Sequence, residues 1–211
     1  MADAPRLYLT TPPAVDLPAF DLAAFTPALE AALAAGDVAC LHLAAGRAGW
    51  DERGLKSLAA LAQARGAAVL IDPPADLREV ARLGVDGVHA AGSNGLAEAL
   101  QALQPDRIVG AGGLRSRDAA MAAGEAGVDY VMFGEPRADG SPPPPEQVIE
   151  RCRWWAEVFT TPCVGHAASP EMVAALAATG VEFIALGAWA FGDSPAQTAA
   201  LVGAAARAAR G

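Results

Sequence analysis

The chain has 211 residues, 53% apolar and 18% charged, with 24 acidic against 15 basic side chains and a formal net charge of −9. So apolar a chain can offset the entropy of ordering, which excludes a disordered protein, and its length sustains a compact core. The acid excess excludes a general nucleic-acid binder, since phosphate neutralisation needs clustered Lys and Arg, but it leaves room for a local anion pocket.

No alanine-rich run, such as residues 31–35 or 204–206, approaches the roughly 20 apolar residues of a membrane span. The opening Met1-Ala2-Asp3-Ala4-Pro5-Arg6 lacks the basic region and apolar stretch of a signal peptide, so the expected location is the cytoplasm, with no membrane partner. Cys40, Cys152 and Cys163 form no CxxC pair and leave one over however they are matched, which points to reduced, buried thiols.

Short β-branched or apolar runs alternate with Ala/Leu-rich segments of helical spacing along the whole chain. Strand 6–10 precedes helix 27–35, strand 38–43 helix 52–65, strand 67–71 helix 75–83, and strand 87–89 helix 95–103. Strand 107–110 then precedes helix 116–126, strand 130–133 helix 146–156, strand 162–165 helix 170–179, and strand 183–186 helix 195–210. Ser116 suits an N-cap, and Ser169-Pro170 and Ser194-Pro195 set a capping serine before proline at the first helical position. Eight strand–helix units predict an α/β protein, a single (β/α)8 TIM-barrel domain over residues 1–211, at the short end of that fold's range.

A repeat supports this reading. Gly84-Val85-Asp86-Gly87-Val88, Gly127-Val128-Asp129-Tyr130-Val131 and Gly180-Val181-Glu182-Phe183-Ile184 each follow an Ala-rich helix and open strands four, six and eight. The acids fall at the N-terminal ends of strands, the stability face of a barrel, and are expected to be structural. Asp139-Gly140-Ser141-Pro142-Pro143-Pro144-Pro145 reads as a stiff loop after the sixth strand, on the functional side.

Functional residues of a barrel sit at the C-terminal ends of its strands and just beyond. In order these are Thr10 and Thr11, His42, Asp72, His89, the run Gly110-Ala111-Gly112-Gly113, Gly134-Glu135, Gly165-His166 and Gly187-Ala188. HExxH, paired metal-spaced His and Walker patterns do not occur, and no metal ligands are assigned. Strand ends seven and eight, where barrels hold phosphate on backbone N–H groups, offer Gly165, Ala167, Ala168, Gly187 and Ala188 for close approach, with His166 to add a hydrogen bond or charge. These six form the predicted phosphate or small-anion site. His89, Asp72 and Glu135 are the candidate catalytic residues, an imidazole able to serve as acid, base or hydrogen-bonded post and two carboxylates facing the mouth. Both carboxylates could equally cap helices. His42 points either into the mouth or out against the helices, and a core or surface role is expected for it.

Leu7-Tyr8-Leu9-Thr10, Leu70-Ile71-Asp72, Leu83-Gly84-Val85-Asp86-Gly87-Val88-His89 and Ala126-Gly127-Val128-Asp129-Tyr130-Val131-Met132-Phe133-Gly134 are the most informative segments. In this order the chain resembles the thiamine phosphate synthase family, which includes the thiazole tautomerase TenI, over nearly its whole length. The resemblance implies a barrel that joins a pyrimidine pyrophosphate to a thiazole phosphate, with Mg²⁺ as the cofactor that neutralises the leaving group. Carried over residue by residue, the family's site is largely replaced. Its Gln-x-Arg-x-Lys cations fall at about Leu41 to Ala45, its Asn-Asp metal pair reads Asp72-Pro73, and its acidic metal segment reads Ala91-Gly92-Ser93-Asn94. Its Ser-x-His becomes Ala111-Gly112-Gly113, and its Pro-Thr-x-Thr-Lys loop becomes Ala138-Asp139-Gly140-Ser141-Pro142. The phosphate loop becomes Ala167-Ala168-Ser169, while Gly187-Ala188 still offers backbone donors. Arg47, Arg115 and Arg137 are cations placed to refill the site.

The expected function is that of a thiamine-phosphate-synthase-like barrel of thiamin metabolism, divergent or inactive as a synthase, whose partner is a small phosphorylated or anionic molecule. One alternative is a non-catalytic anion-binding or regulatory protein acting through a homo-oligomer interface, for which an exposed Trp154-Trp155 pair would serve. Another is a different isomerase or lyase on the same barrel.

Overall fold

The structure, a computed structural model, describes residues 4–11, 22–44 and 52–211. Eight strands follow one another in parallel: β1 (Arg6–Thr10), β2 (Val38–Leu43), β3 (Ala68–Ile71), β4 (Gly87–Ala91), β5 (Ile108–Gly112), β6 (Tyr130–Phe133), β7 (Cys163–Ala167) and β8 (Phe183–Leu186). Each pairs with the next, and β8 returns to β1 through Leu7 opposite Ile184 and Leu9 opposite Leu186, closing the expected (β/α)8 TIM barrel. The helices between them are α1 (Leu22–Ala35), α2 (Glu52–Gln63), α3 (Glu79–Leu83), α4 (Leu96–Leu103), α5 (Arg117–Glu125), α6 (Pro145–Val158), α7 (Met172–Ala177) and α8 (Pro195–Ala208). No described helix is long and apolar enough to cross a membrane.

The alternation of strand side chains divides the core in two. Outward residues such as Leu9, Leu41, Val69, Val109, Val131 and Ile184 are buried under the ring of helices, while inward residues fill the barrel. The three repeated acids have one job. Asp86 accepts the Val69 N–H, Asp129 the Val109 N–H, each at 2.7 Å, and Glu182 the Cys163 N–H at 2.8 Å. Each acid thus ties the start of its strand to the neighbouring strand. Two glutamines repeat as well, with Gln63 donating to the Gly84 carbonyl and Gln104 to that of Gly127.

Several boundaries differ from the sequence expectation. β5 continues through Gly110 and Gly112, and β4 through Ala91, because the ladder pairs Ala91 with Gly112 even where glycine suggests a turn. α3 starts four residues late, since the Asp76 carboxylate accepts the Arg78 N–H and holds a local turn instead. Ser116 and Ser194 cap α5 and α8 by accepting from Ala119 and Gln197, whereas α7 begins past Ser169 and has no side-chain cap. The Trp154-Trp155 pair is not an exposed patch. Trp155 is fully buried, stacked on Phe159 at 4.1 Å with its indole N–H on the Thr161 carbonyl. Trp154 is half-buried beneath the Arg117 guanidinium at 4.6 Å.

Candidate active site at the barrel mouth

Tyr8, Cys40, Leu70, Tyr130, Met132, Val164 and Ala185 fill the inside of the barrel. Toward the C-terminal ends of the strands this filling becomes polar. His42 on β2, His89 on β4 and His166 on β7, the three histidines of the sequence, all lie buried there.

Two of them are paired with carboxylates. His42 Nε2 lies 3.1 Å from Asp72 Oδ1, just past the end of β3. His89 Nε2 lies 2.9 Å from Glu135 Oε1, past the end of β6, and its Nδ1 lies 2.7 Å from the Tyr130 hydroxyl. That hydroxyl meets the Tyr8 hydroxyl at 3.0 Å, and Glu135 Oε2 accepts the Gly113 N–H. A continuous hydrogen-bonded chain therefore runs from Tyr8 through Tyr130 and His89 to Glu135 and the backbone. The His42 and His89 rings approach to 4.9 Å, bringing the second acid–imidazole pair alongside.

The glycine run of β5 makes this arrangement possible. A Cβ on Gly110 would lie 2.0 Å from Tyr130 Cζ, and one on Gly112 would lie 2.1 Å from Glu135 Oε2 and 2.3 Å from His89 Nε2. Glycine at both positions is the space that the tyrosine and the His89–Glu135 pair occupy.

Burial and pairing set the charges. Burial pushes the Tyr8 and Tyr130 hydroxyls well above the usual range, so both are protonated at neutral pH. Burial lowers His42, against the opposing hydrogen bond it makes to Asp72, and lowers His166, against opposition from Glu135 and nearby carbonyls. For Glu135 burial alone would favour the neutral acid. Its interactions with His89, the Gly113 N–H and His166 outweigh that and hold the carboxyl down to about 2. Glu135 is thus an ionised acceptor for His89 Nε2–H.

A cavity of about 430 Å³ opens over this layer, walled by Thr10, His42, Glu135, His166, Gly187 and Trp189, with Thr11, Ala44, Met132, Ala168 and Ala188 and with Pro136, Gly140 and Pro142 of the β6–α6 loop. After β8 a single 3₁₀ turn at Ala188–Ala190 carries Trp189, whose indole N–H binds the Ala167 carbonyl at 2.8 Å and ties strand end eight to strand end seven. Of the buried side-chain nitrogens and oxygens described, His166 Nδ1 has no hydrogen-bond partner.

The expected anion residues divide between two faces. His166, Ala168, Gly187 and Ala188 line the cavity. Gly165 and Ala167 face the other way: a Cβ on Gly165 would meet Leu176 at 2.9 Å and Cys152 at 3.2 Å, and Ala167 is fully buried with the outer core. Among the expected catalytic residues, Glu135 reaches the cavity, His89 stands behind it, and Asp72 is joined to the cavity wall through His42. His42 itself belongs to the mouth, not to an outer face. Tyr8 and Tyr130 were not expected at all, and the signal was only their phase, inward on β1 and β6.

A Mg²⁺ ion takes octahedral coordination, usually from one or two carboxylates together with waters and substrate phosphates. Asp72 is engaged with His42 and Glu135 with His89 and Gly113, while Asn94 lies in a separate surface groove with Pro73, Pro74 and Glu98. Among the described residues no group of three or more His, Cys, Asp or Glu side chains is arranged to hold a metal ion by itself. Arg115 and Arg137 do not line the mouth, and Ala45 and Arg47 lie outside the described residues.

Residues 7–188 match the family model described as thiamine monophosphate synthase. The chain belongs to that family. It is 40% identical over 212 residues to a thiamine-phosphate synthase of Rhodospirillum centenum, covering 93% of this chain and 94% of the relative. A thiamine-phosphate synthase of Hyphomonas neptunium is 37% identical over 206 residues, covering 90% and 89%. Among solved structures, a thiamine phosphate pyrophosphorylase from Pyrococcus furiosus superposes with a TM-score of 0.74 at 20% identity, covering 97% of this chain and 95% of that one. At that identity the superposition speaks for the fold of this family member, and the chemistry rests on its own residues.

Proposed function

We propose that this family member binds a small phosphorylated molecule of thiamin metabolism at the barrel mouth and has diverged from the synthase reaction. The observation that carries the ligand reading is His166 Nδ1, buried and unpartnered on a ring that lines the cavity. Such an atom costs about 1–3 kcal/mol when left unpaired; Nδ1 is closed to solvent in this conformation, so a turn of the ring that brings it to a ligand oxygen in the cavity would remove that cost. Ala168, Gly187 and Ala188 carry nothing beyond a Cβ, so a phosphate can approach their backbone. A bound anion also favours protonation of His166, so binding takes up a proton and strengthens as the pH is lowered.

The divergence reading rests on the cavity wall, which contains no Lys or Arg among the described residues, and on mouth carboxylates already engaged, Asp72 by His42 and Glu135 by His89 and the Gly113 N–H. Losing even one preorganised donor to a departing pyrophosphate commonly costs about 3–4 kcal/mol of barrier. A second reading, proton transfer in an isomerase or lyase, is favoured by the two acid–imidazole pairs whose rings lie 4.9 Å apart.

Calorimetry with thiazole phosphate and thiamin phosphate tests the ligand. Millimolar ligand should bind, and His166→Ala should weaken it; no heat with either compound overturns the reading. Incubation with pyrimidine pyrophosphate, thiazole phosphate and Mg²⁺ tests the divergence, which formation of thiamin phosphate would overturn. Exchange of solvent deuterium into a bound ligand, lost in Glu135→Gln, would separate proton transfer from binding alone.

A further inference from the structure

On the outer side of the β6–α6 loop, away from the mouth, a second cavity of about 480 Å³ lies between that loop and the first turns of α6. Three arginines line it: Arg115 from the β5–α5 loop, Arg137 from the β6–α6 loop and Arg151 from α6. Arg115 donates to the Glu135 and Pro136 carbonyls at 3.2 and 3.0 Å. Arg137 donates to the Ser141 hydroxyl and the Pro142 carbonyl at 3.2 and 3.3 Å. Arg151 donates to the Leu114 and Arg115 carbonyls at 3.3 and 2.7 Å.

Neutral oxygens therefore position all three guanidiniums without cancelling their charge. Among the described residues none of the three forms an ion pair, whereas Arg6, Arg78, Arg82 and Arg117 each bind a carboxylate. Asp139 feels the charge of Arg137 but directs its carboxylate to the Ser141 N–H and hydroxyl. A guanidinium carries five N–H donors in a rigid fork suited to phosphate, so about three remain on each. Gln147, in the first turn of the 14-residue α6, adds an amide at the positive end of a helix whose N-cap, Pro144, supplies no side-chain cap. In a chain of net charge −9, three cations lining one cavity with no carboxylate in its wall, Asp139 and Glu146 lying outside it, call for an anion.

We infer that this cavity binds a phosphate group, free or as a small phosphomonoester, at a site separate from the barrel mouth. Arg115, Arg137 and Arg151 hold its oxygens, and Gln147 closes the wall. The two cavities share no lining residue, although Arg115 and Arg137 hold the carbonyls of Glu135, Pro136 and Pro142, which line the mouth.

Nuclear magnetic resonance of the ¹⁵N-labelled protein tests this, with inorganic phosphate and glycerol 3-phosphate titrated in separate arms. Either anion should shift the Nε–Hε signals of Arg115, Arg137 and Arg151 and the side-chain amide of Gln147 along a saturable curve. The arm that saturates first identifies free phosphate or the monoester. The double variant Arg115→Gln, Arg137→Gln should raise Kd about ten-fold or more, and His166→Ala should leave it unchanged. If the double variant does not fold, the wild-type signals decide alone. Absence of saturable shifts at millimolar anion, shifts confined to Ala168, Gly187 and Ala188, or an unchanged Kd in the folded double variant would overturn the inference.

Discussion

Replacing Glu135 by glutamine removes the charge around which the barrel mouth is ordered. The carboxylate is 19% exposed and accepts from both His89 and the Gly113 N–H. Its ordinary value of 4.5 falls to about 2 in the folded protein, a difference that corresponds to about 3 kcal/mol of folding free energy at neutral pH. Because the folded value is the lower one, this contribution is complete above pH 4.5 and is lost as the pH falls through about 2. Glu135→Gln keeps the shape and can still accept the Gly113 N–H, but it carries no charge toward His89. Urea denaturation at pH 7 should find the variant about 2–3 kcal/mol less stable than wild type, with a Tm lower by about 4–12 °C. Integrating the titration to pH 3 leaves about half of that deficit, and near pH 2 the two curves should converge. Equal stability at pH 7, or a deficit of the same size at pH 7 and pH 3, would refute the charge-based account.

Other substitutions probe the packing beneath the mouth. Gly110→Ala places a methyl group against a Tyr130 ring whose hydroxyl is held by both Tyr8 and His89, and should destabilise by about 1–3 kcal/mol; an unchanged thermal melt would show that the ring can retreat. Trp155→Ala should lose about 3–5 kcal/mol in denaturant titrations and Trp154→Ala about 1 kcal/mol, and similar losses would contradict the assignment of Trp155 alone to the core. Asp129→Ala leaves the Val109 N–H unpaired and should cost about 1–3 kcal/mol without altering ligand affinity at the mouth; weakened calorimetric binding would give that acid more than a structural role. Burial holds His42 and His166 below the ordinary 6.5, so between their folded and unfolded values the unfolded chain binds more protons and stability declines as the pH falls below 6.5. Imidazole titrations followed by nuclear magnetic resonance should place both midpoints under 6.5, and a midpoint above 7 for either ring would contradict its desolvation.

Much of the framework is local and so was readable from the residues. Alternation of period two placed the eight strands, and the glycine-valine-acid repeat marked the strands opened by Asp86, Asp129 and Glu182. The same local reasoning misjudged the segment before α3, where the Asp76 side chain competes with the helix for the Arg78 N–H. It also stopped β5 at Gly110, because a glycine run reads as a turn when the neighbour that needs its space is unknown. Trp154 and Trp155 read as an exposed pair, because adjacency on one helix does not show that Trp155 packs against Phe133 and Phe159 in the core.

By itself the sequence determined the barrel class, the order of its elements and the set of strand ends at which polar side chains could gather. Periodicity and capping act over a few residues, and these features depend on nothing longer. Only the closed barrel decided that the gathered groups form Asp72–His42 beside Glu135–His89–Tyr130–Tyr8, with partners 30, 46, 41 and 122 residues apart. Closure also turned Gly165 and Ala167 outward and His42 inward. Residues on successive strands alternate between axis and helices, and which phase faces the axis is set by the register in which all eight strands close.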